Sequence, residues 1–277
     1  MNARNPAALV LKVIILAVIL YVLHTIDFIG LEISTDAWTA PLPWLLMALL
    51  QTIVLAYVIL RSRWSGWTLA ATVFLVMYGI MTFQTGIEAV VFLQDFQEHM
   101  PEQDTPGLFV NGAFLSAIFA IAAVWILGKW KPSGEPPEPN RRLVMKWYHW
   151  VWKLPLVSFI YLVVYILFGA LVFQPLAGEA FEEFYGNVEL PAWMLPFQML
   201  RGLIWAIIAM PVIRMTKGRW WEAGWAVALL FMALMGFLLI PPNEYMPDAI
   251  RYPHLIEVSS ENFIFGWIAV LMLNRRD

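Results

Sequence analysis

A chain of 277 residues that is 61% hydrophobic and 13% charged is not an ordinary soluble domain, which carries about 25% charged residues. With 15 Trp, 18 Phe and a mean hydropathy of +0.70, it reads as an all-α integral membrane protein. Cysteine is absent, which excludes disulfides, thiolate metal sites, iron–sulfur clusters and cysteine nucleophiles, and nothing points to a nucleic-acid partner.

Apolar windows place eight transmembrane helices at about 7–29, 43–60, 67–93, 107–128, 152–174, 193–213, 221–240 and 254–273. The first follows Arg4 and runs on without a small-residue cleavage site, so it reads as a retained span rather than a removed signal. Between the fourth and fifth spans lies Lys131-Pro-Ser-Gly-Glu-Pro-Pro-Glu-Pro-Asn140, which cannot continue a helix. It divides the chain into a first four-helix unit (1–130), a linker (131–145) and a second four-helix unit (146–277). Trp64-Ser-Gly66-Trp67 and Trp221-Glu-Ala-Gly224-Trp225 sit at corresponding places in the two units. Four spans per unit gives both the same orientation, so a symmetry axis would follow the membrane normal. Residue identity between the units is thin, and two unrelated four-helix blocks would share the same grammar.

The connections orient the spans. Fourteen of the 17 basic residues fall on one face: Arg4, Arg61, Arg63, Lys129, Lys131, Arg141, Arg142, Lys146, Lys153, Arg214, Lys217, Arg219, Arg275 and Arg276. Lys12 and Arg201 lie within spans, and Arg251 lies on the opposite face. The opposite loops hold Glu32, Asp36, Asp95, Glu98, Glu102, Asp104, Glu179, Glu182, Glu183, Glu189, Glu244 and Asp248. The positive-inside rule then puts both termini in the cytoplasm of a plasma (inner) membrane protein, with an acidic outer face. Tryptophans cluster at span ends as interfacial anchors. Tyr161 and Tyr165, inside span five, read as packing residues.

The last span is the most informative. Phe263 to Leu273 covers only ~16 Å of helix, about half of a ~30 Å hydrocarbon core, so its polar first half must also enter the membrane. There, His254, Glu257 and Glu261 follow at three- and four-residue spacing and share a face, with Asn262 beside them. At 1.5 Å per residue, Glu261 and Arg201 each lie ~12 Å below the outer surface, with Gln198 one turn above Arg201. Glu88 and Gln84 share a face of span three, His24 and Asp27 one of span one, and Asn111 lies at similar depth on span four. Polar groups from five spans therefore fall in the outer leaflet, whereas Lys12, alone in the inner half, can snorkel. An Arg201–Glu261 pair is expected, because either charge alone would be costly there.

Too many acids sit in this layer for one arginine, and uncompensated buried carboxylates must bind a proton or a cation. Protons or a small cationic solute fit Glu88, Gln84, Asn111, Arg201, Gln198, Glu257, Glu261 and Asn262, with Trp193, Tyr185 and Phe263 near enough in sequence for cation–π contact. A divalent metal, Zn²⁺ or Mn²⁺, would draw on His24, Asp27, Glu88, His254 and Glu257. A haem between His24 and His254 ranks last, since single histidines at span ends belong to the interface. The chain has no His-Glu-x-x-His, Gly-x-Ser-x-Gly or Gly-x-x-x-x-Gly-Lys-Ser/Thr, so metalloprotease, serine hydrolase and nucleotide-driven pump lack support. Ser259 and Ser260 read as backbone-bonding hydroxyls, and Gly112, Ser116 and Ala120 as a close-packing stripe. The leading expectation is a proton- or cation-linked transporter or permease. The alternatives are a metal-dependent membrane enzyme acting at the outer leaflet and a non-catalytic membrane subunit.

Overall fold

The computed structural model describes residues 6–33, 36–96, 105–132, 142–186, 192–243 and 246–274. Arg4, Glu98, Glu102, Asp104, Glu189, Glu244, Arg275, Arg276 and linker residues 133–141 lie outside these. Among the described residues, eight helices are long and apolar enough to cross a membrane. They are α1 (Pro6–His24), α2 (Pro41–Leu60), α3 (Gly66–Met77, then Tyr78–Gln84, then Thr85–Phe96), α4 (Thr105–Ile126), α5 (Trp147–Phe168, Gly169–Phe173, Gln174–Ala177), α6 (Met194–Met215), α7 (Trp220–Met235, Gly236–Leu239) and α8 (Asp248–Leu273).

Three boundaries shift by five residues or more: α5 starts at Trp147 rather than 152, and the other two have a local reason. The first span ends at His24 rather than near 29, because the chain turns into a two-stranded hairpin, β1 (Ile26–Asp27) with β2 (Glu32–Ile33). The turn passes through Gly30 and through Leu31 at φ 53°, a left-handed conformation closed to a helix. The last helix starts at Asp248, six residues before the expected 254. Pro247 precedes it, and the Asp248 carboxylate suits the positive end of the helix dipole.

Several helix contacts correspond between residues 1–130 and 146–277. In the first unit α1 packs on α2 and α4, and α3 on α4; in the second α5 packs on α6 and α8, and α7 on α8. Across the units α2 meets α7 and α3 meets α6. The Gln51 amide on α2 donates to Ala233 O on α7 (3.3 Å), and the Gln84 amide on α3 donates to Arg201 O on α6 (3.0 Å). The centre is α7, with 67% of its spanning window buried, whereas α1 and α4, at 28%, line the rim. Their outward faces present Val10, Leu11, Ile14, Phe114, Ile118 and Trp125, the apolar surface that lipid would cover. The stripe expected on α4 does pack closely: Gly112 lies against Thr82 of α3, and Ser116 and Ala120 are buried.

At one end, here called the linker end, the α2–α3 and α6–α7 loops are sewn together. Ser62 bridges Thr216, Arg63 N donates to Met215 O (2.7 Å), and Lys217 N donates to Arg61 O (2.8 Å). The Arg142 guanidinium donates to Ile213 O, Thr216 O and Gly218 O, and Lys129 Nζ to Ser62 O. Glu222 accepts from Arg219 N, capping α7, and pairs with Arg61. These basic residues hold backbone carbonyls as well as marking a face. Lys12 Nζ reaches the same end, near Gly128.

Arg251, read from the sequence as a loop charge, is buried on α8. Its Nη1 donates to Leu239 O and Ile240 O (both 2.7 Å) and to Pro241 O (3.2 Å), and its Nη2 to Asp248 Oδ1 (2.6 Å). It thus satisfies the carbonyls that the end of α7 leaves open. Arg251→Met should lower stability by about 1.5–3 kcal/mol, the range for hydrogen bonds to a charged group. Thermal unfolding in detergent checks this; a melting temperature equal to the parent's would rule the role out.

Candidate functional site

The polar groups converge where α3, α5, α6 and α8 meet, at the end opposite the linker. Arg201, 1% exposed, sits at the centre. Its partner is Glu88: Nη1 donates to Oε1 (2.5 Å) and Nη2 to Oε2 (2.7 Å), a bidentate pair. Nη1 also donates to Gln198 Oε1 (2.9 Å), one turn earlier on α6. The expected Arg201–Glu261 contact is therefore corrected. Glu261 lies within electrostatic reach of Arg201, but Glu88 takes both arms of the fork.

Local structure explains the substitution. Residues Tyr78–Gln84 of α3 form a π-helical turn, in which each N–H reaches five residues back rather than four. Thr85 Oγ1 donates to Ile80 O across this wider turn (3.2 Å). The extra residue rotates everything beyond it, placing the Gln84 amide on the Arg201 carbonyl and Glu88 on its guanidinium. On the other side Gly202 allows α5 to approach: a Cβ there would lie 2.7 Å from Tyr161 Cβ and 2.9 Å from Ser158 O. This brings the Tyr161 ring to 5.9 Å from the Arg201 guanidinium, a cation–π distance. Tyr161, set aside above as packing, is thus a second neighbour of Arg201, and Tyr165 lies in the same field as Glu88, Arg201 and Glu261. The sequence offered only the four-residue spacing of the two tyrosines, which puts them on one face of α5.

α8 supplies the acids. His254 Nδ1 and Glu257 Oε2 are 2.6 Å apart, and Glu257 and Glu261 are each 3% exposed. Glu261 Oε1 is buried with no hydrogen-bond partner, as is Arg201 Nε. The Asn262 amide donates to Val258 O (2.9 Å) and faces Met235 Sδ (3.8 Å), so it serves the α7–α8 seam. Ser260 Oγ bonds the backbone, donating to Ile256 O (2.6 Å). Above the acids, the short helix Glu179–Tyr185 packs Phe181 and Tyr185 edge-on against Phe173, whose ring lies 5.1 Å from His254. Burial, together with Glu257 and Glu88, pushes the Tyr185 phenol up.

Five expected site residues lie elsewhere or are otherwise engaged. Asp27 accepts from Asn111 Nδ2 (2.8 Å) and Ile29 N (2.9 Å), while Asn111 Oδ1 accepts from Phe28 N (2.8 Å). This clasp ties the hairpin to α4, and the Asn111 amide holds the Asp27 carboxyl below its usual range. His24 lies beside Trp44 (6.0 Å) and Gln51, on the α1–α2 seam. Trp193 packs on Phe197, and Phe263 on Trp225, so only Tyr185 of the three aromatic candidates joins the cluster. The five-residue metal set is therefore corrected: among the described residues no three His, Asp or Glu side chains gather as ligands. Asp27, Glu88 and Glu257 are committed to Asn111, Arg201 and His254 respectively. His24, and with it the haem reading, is separated from His254 in the same way.

Fold and cluster together define a multi-pass helical bundle in which Glu88 and Glu261 face one buried guanidinium and Glu257 faces Glu261. Comparison with protein-family models, with curated proteins and with solved structures found no match to this chain.

Proposed function

We propose that the protein is a small proton- or cation-linked transporter of the plasma (inner) membrane. In this reading the linker end is cytoplasmic and the acidic cluster opens from the outer leaflet. One observation carries it: Glu88, Glu257 and Glu261 share a field with a single guanidinium, and Glu261 Oε1 has no partner. Several buried amide and hydroxyl oxygens here also lack a partner, but a carboxylate is the costliest group to leave so, because it carries a charge. An excess of buried carboxylate that persists in a folded protein is a place for a proton or a cation.

Two features of the fold support the reading. The pattern of helix neighbours in the first unit recurs in the second, as a duplicated four-helix unit related by an axis along the membrane normal would give. Helices around the cluster are also interrupted, by π turns at Tyr78–Gln84 and Gly169–Phe173 and by a 3₁₀ turn at Gly236–Leu239. Such breaks recur at functional sites and along transporter cavities. Among the described residues, no three His, Asp or Glu side chains gather as the metal-dependent alternative would require.

The test is cation-driven proton movement in vesicles containing the purified protein, followed by a pH dye inside the lumen. An imposed methylammonium or potassium gradient should move protons in the parent protein. Glu88→Gln and Glu261→Gln should each reduce the signal to background. Coupled flux that survives both substitutions would end the proposal.

A further inference from the structure

Arg201 faces more than one carboxylate and holds only one of them. Both Nη atoms bond Glu88, and Nη1 also bonds Gln198, whereas Arg201 Nε and Glu261 Oε1 are each buried without a partner. The two carboxylates also differ in access: the Glu88 side chain is 24% exposed, and Glu261 is almost wholly enclosed. A carboxylate left charged and unbonded at such a place is costly, whereas a carboxyl carrying a proton is not.

We propose that Arg201 is a two-position counter-ion, and that Glu261 carries a proton while Arg201 holds Glu88 and releases it when Arg201 turns to Glu261. A cation arriving at the more accessible Glu88 displaces the guanidinium, which then takes Glu261, and the Glu261 proton leaves. One positive charge enters and one proton departs, so the net charge of the buried site is unchanged. The reverse sequence discharges the cation. Glu257 and His254, at 2.6 Å from each other and one and two turns nearer the open end, offer the proton a way out. The groups facing Glu261 are Glu257 on its own helix, Arg201 on α6, Glu88 on α3 and Tyr161 and Tyr165 on α5. Of these only Arg201 is a fixed cation, so it alone can hold Glu261 in the charged form.

The exchange deepens the transport reading, but it can be tested without transport. In infrared spectra of the purified full chain, the parent protein should show a protonated-carboxyl band that Glu261→Gln removes. Glu88→Gln should remove the same band, because Arg201 then ionises Glu261. Persistence of the band in Glu88→Gln, or absence of any band belonging to Glu261, overturns the proposal. Stability supplies a second readout. Each single Gln substitution should lower the melting temperature little, and the double substitution should lower it by far more than the sum, since Arg201 then has neither carboxylate. Additive losses, or a Glu88→Gln protein that does not fold, would equally overturn it. If both readouts appear and the vesicles move no protons, the counter-ion switch stands and the transport reading falls. If protons move but the band persists, the opposite holds.

Discussion

Arg201→Met is expected to destabilise the protein by about 3–5 kcal/mol, the usual result of removing one partner from a buried ion pair. Glu88 loses both arms of its fork, Gln198 Oε1 loses its donor, and the Tyr161 ring loses the cation beside it. Because the penalty comes mainly from the charge left behind, Arg201→Met with Glu88→Gln should recover most of it. Arg201→Met with Glu261→Gln should recover much less, because Glu88 stays charged and unpaired. Denaturation in detergent separates the cases, and equal recovery by the two double variants would contradict the pairing described here. Arg201→Lys should fall between parent and Met, since an ammonium keeps the charge but cannot match the two carboxylate oxygens.

The second large effect is expected at Gly266, where α8 meets α7. A Cβ there would lie 2.6 Å from Ala228 Cα and 2.9 Å from Ala228 N, so the obstacle is backbone that cannot swing aside. Gly266→Leu should cost about 3 kcal/mol or more, the upper range for overpacking a filled core. It should also reach the cluster, since Asn262 and Glu261 sit just over one turn away and Asn262 relies on the α7–α8 distance to face Met235. The measurement is the yield of monodisperse protein and its melting temperature. A Gly266→Leu protein as stable as the parent would show that the two helices separate freely, contrary to the packing. Gly169, with open space around the same atom, is the control and should accept Ala at little cost.

How much of this could be read beforehand depends on which dimension is asked about. Hydropathy finds the eight helices because an apolar stretch of the right length has few alternatives in a chain this poor in charge. It overran α1 because Phe28, Ile29 and Leu31 keep the average high while Gly30 and a left-handed Leu31 turn the chain back. Depth along a helix was also legible, and it gathered Glu88, Arg201, Glu257 and Glu261 into one layer. Azimuth was not. Two residues at equal depth can face opposite sides of a bundle, so matching Arg201 with Glu261 by depth alone left the choice of partner open to chance. The π turn before Glu88 shifts the phase of the helix in a way that residue spacing does not reveal. His24 faces α2 at a helix seam, and Asp27 lies beyond the end of α1 in a hairpin clasp, where helical spacing no longer applies.

The stitching at the linker end has a mechanical consequence. Two sets of helices joined by paired loops and by arginines bound to backbone carbonyls resist sliding or parting there. Any relative movement must therefore be a tilt whose pivot is that seam, with displacement growing along the helices. The widest excursion falls at the far rim, where Glu88, His254 and the Glu179–Tyr185 cover lie, and there the Glu88–Arg201 pair is the brace that such a tilt must break.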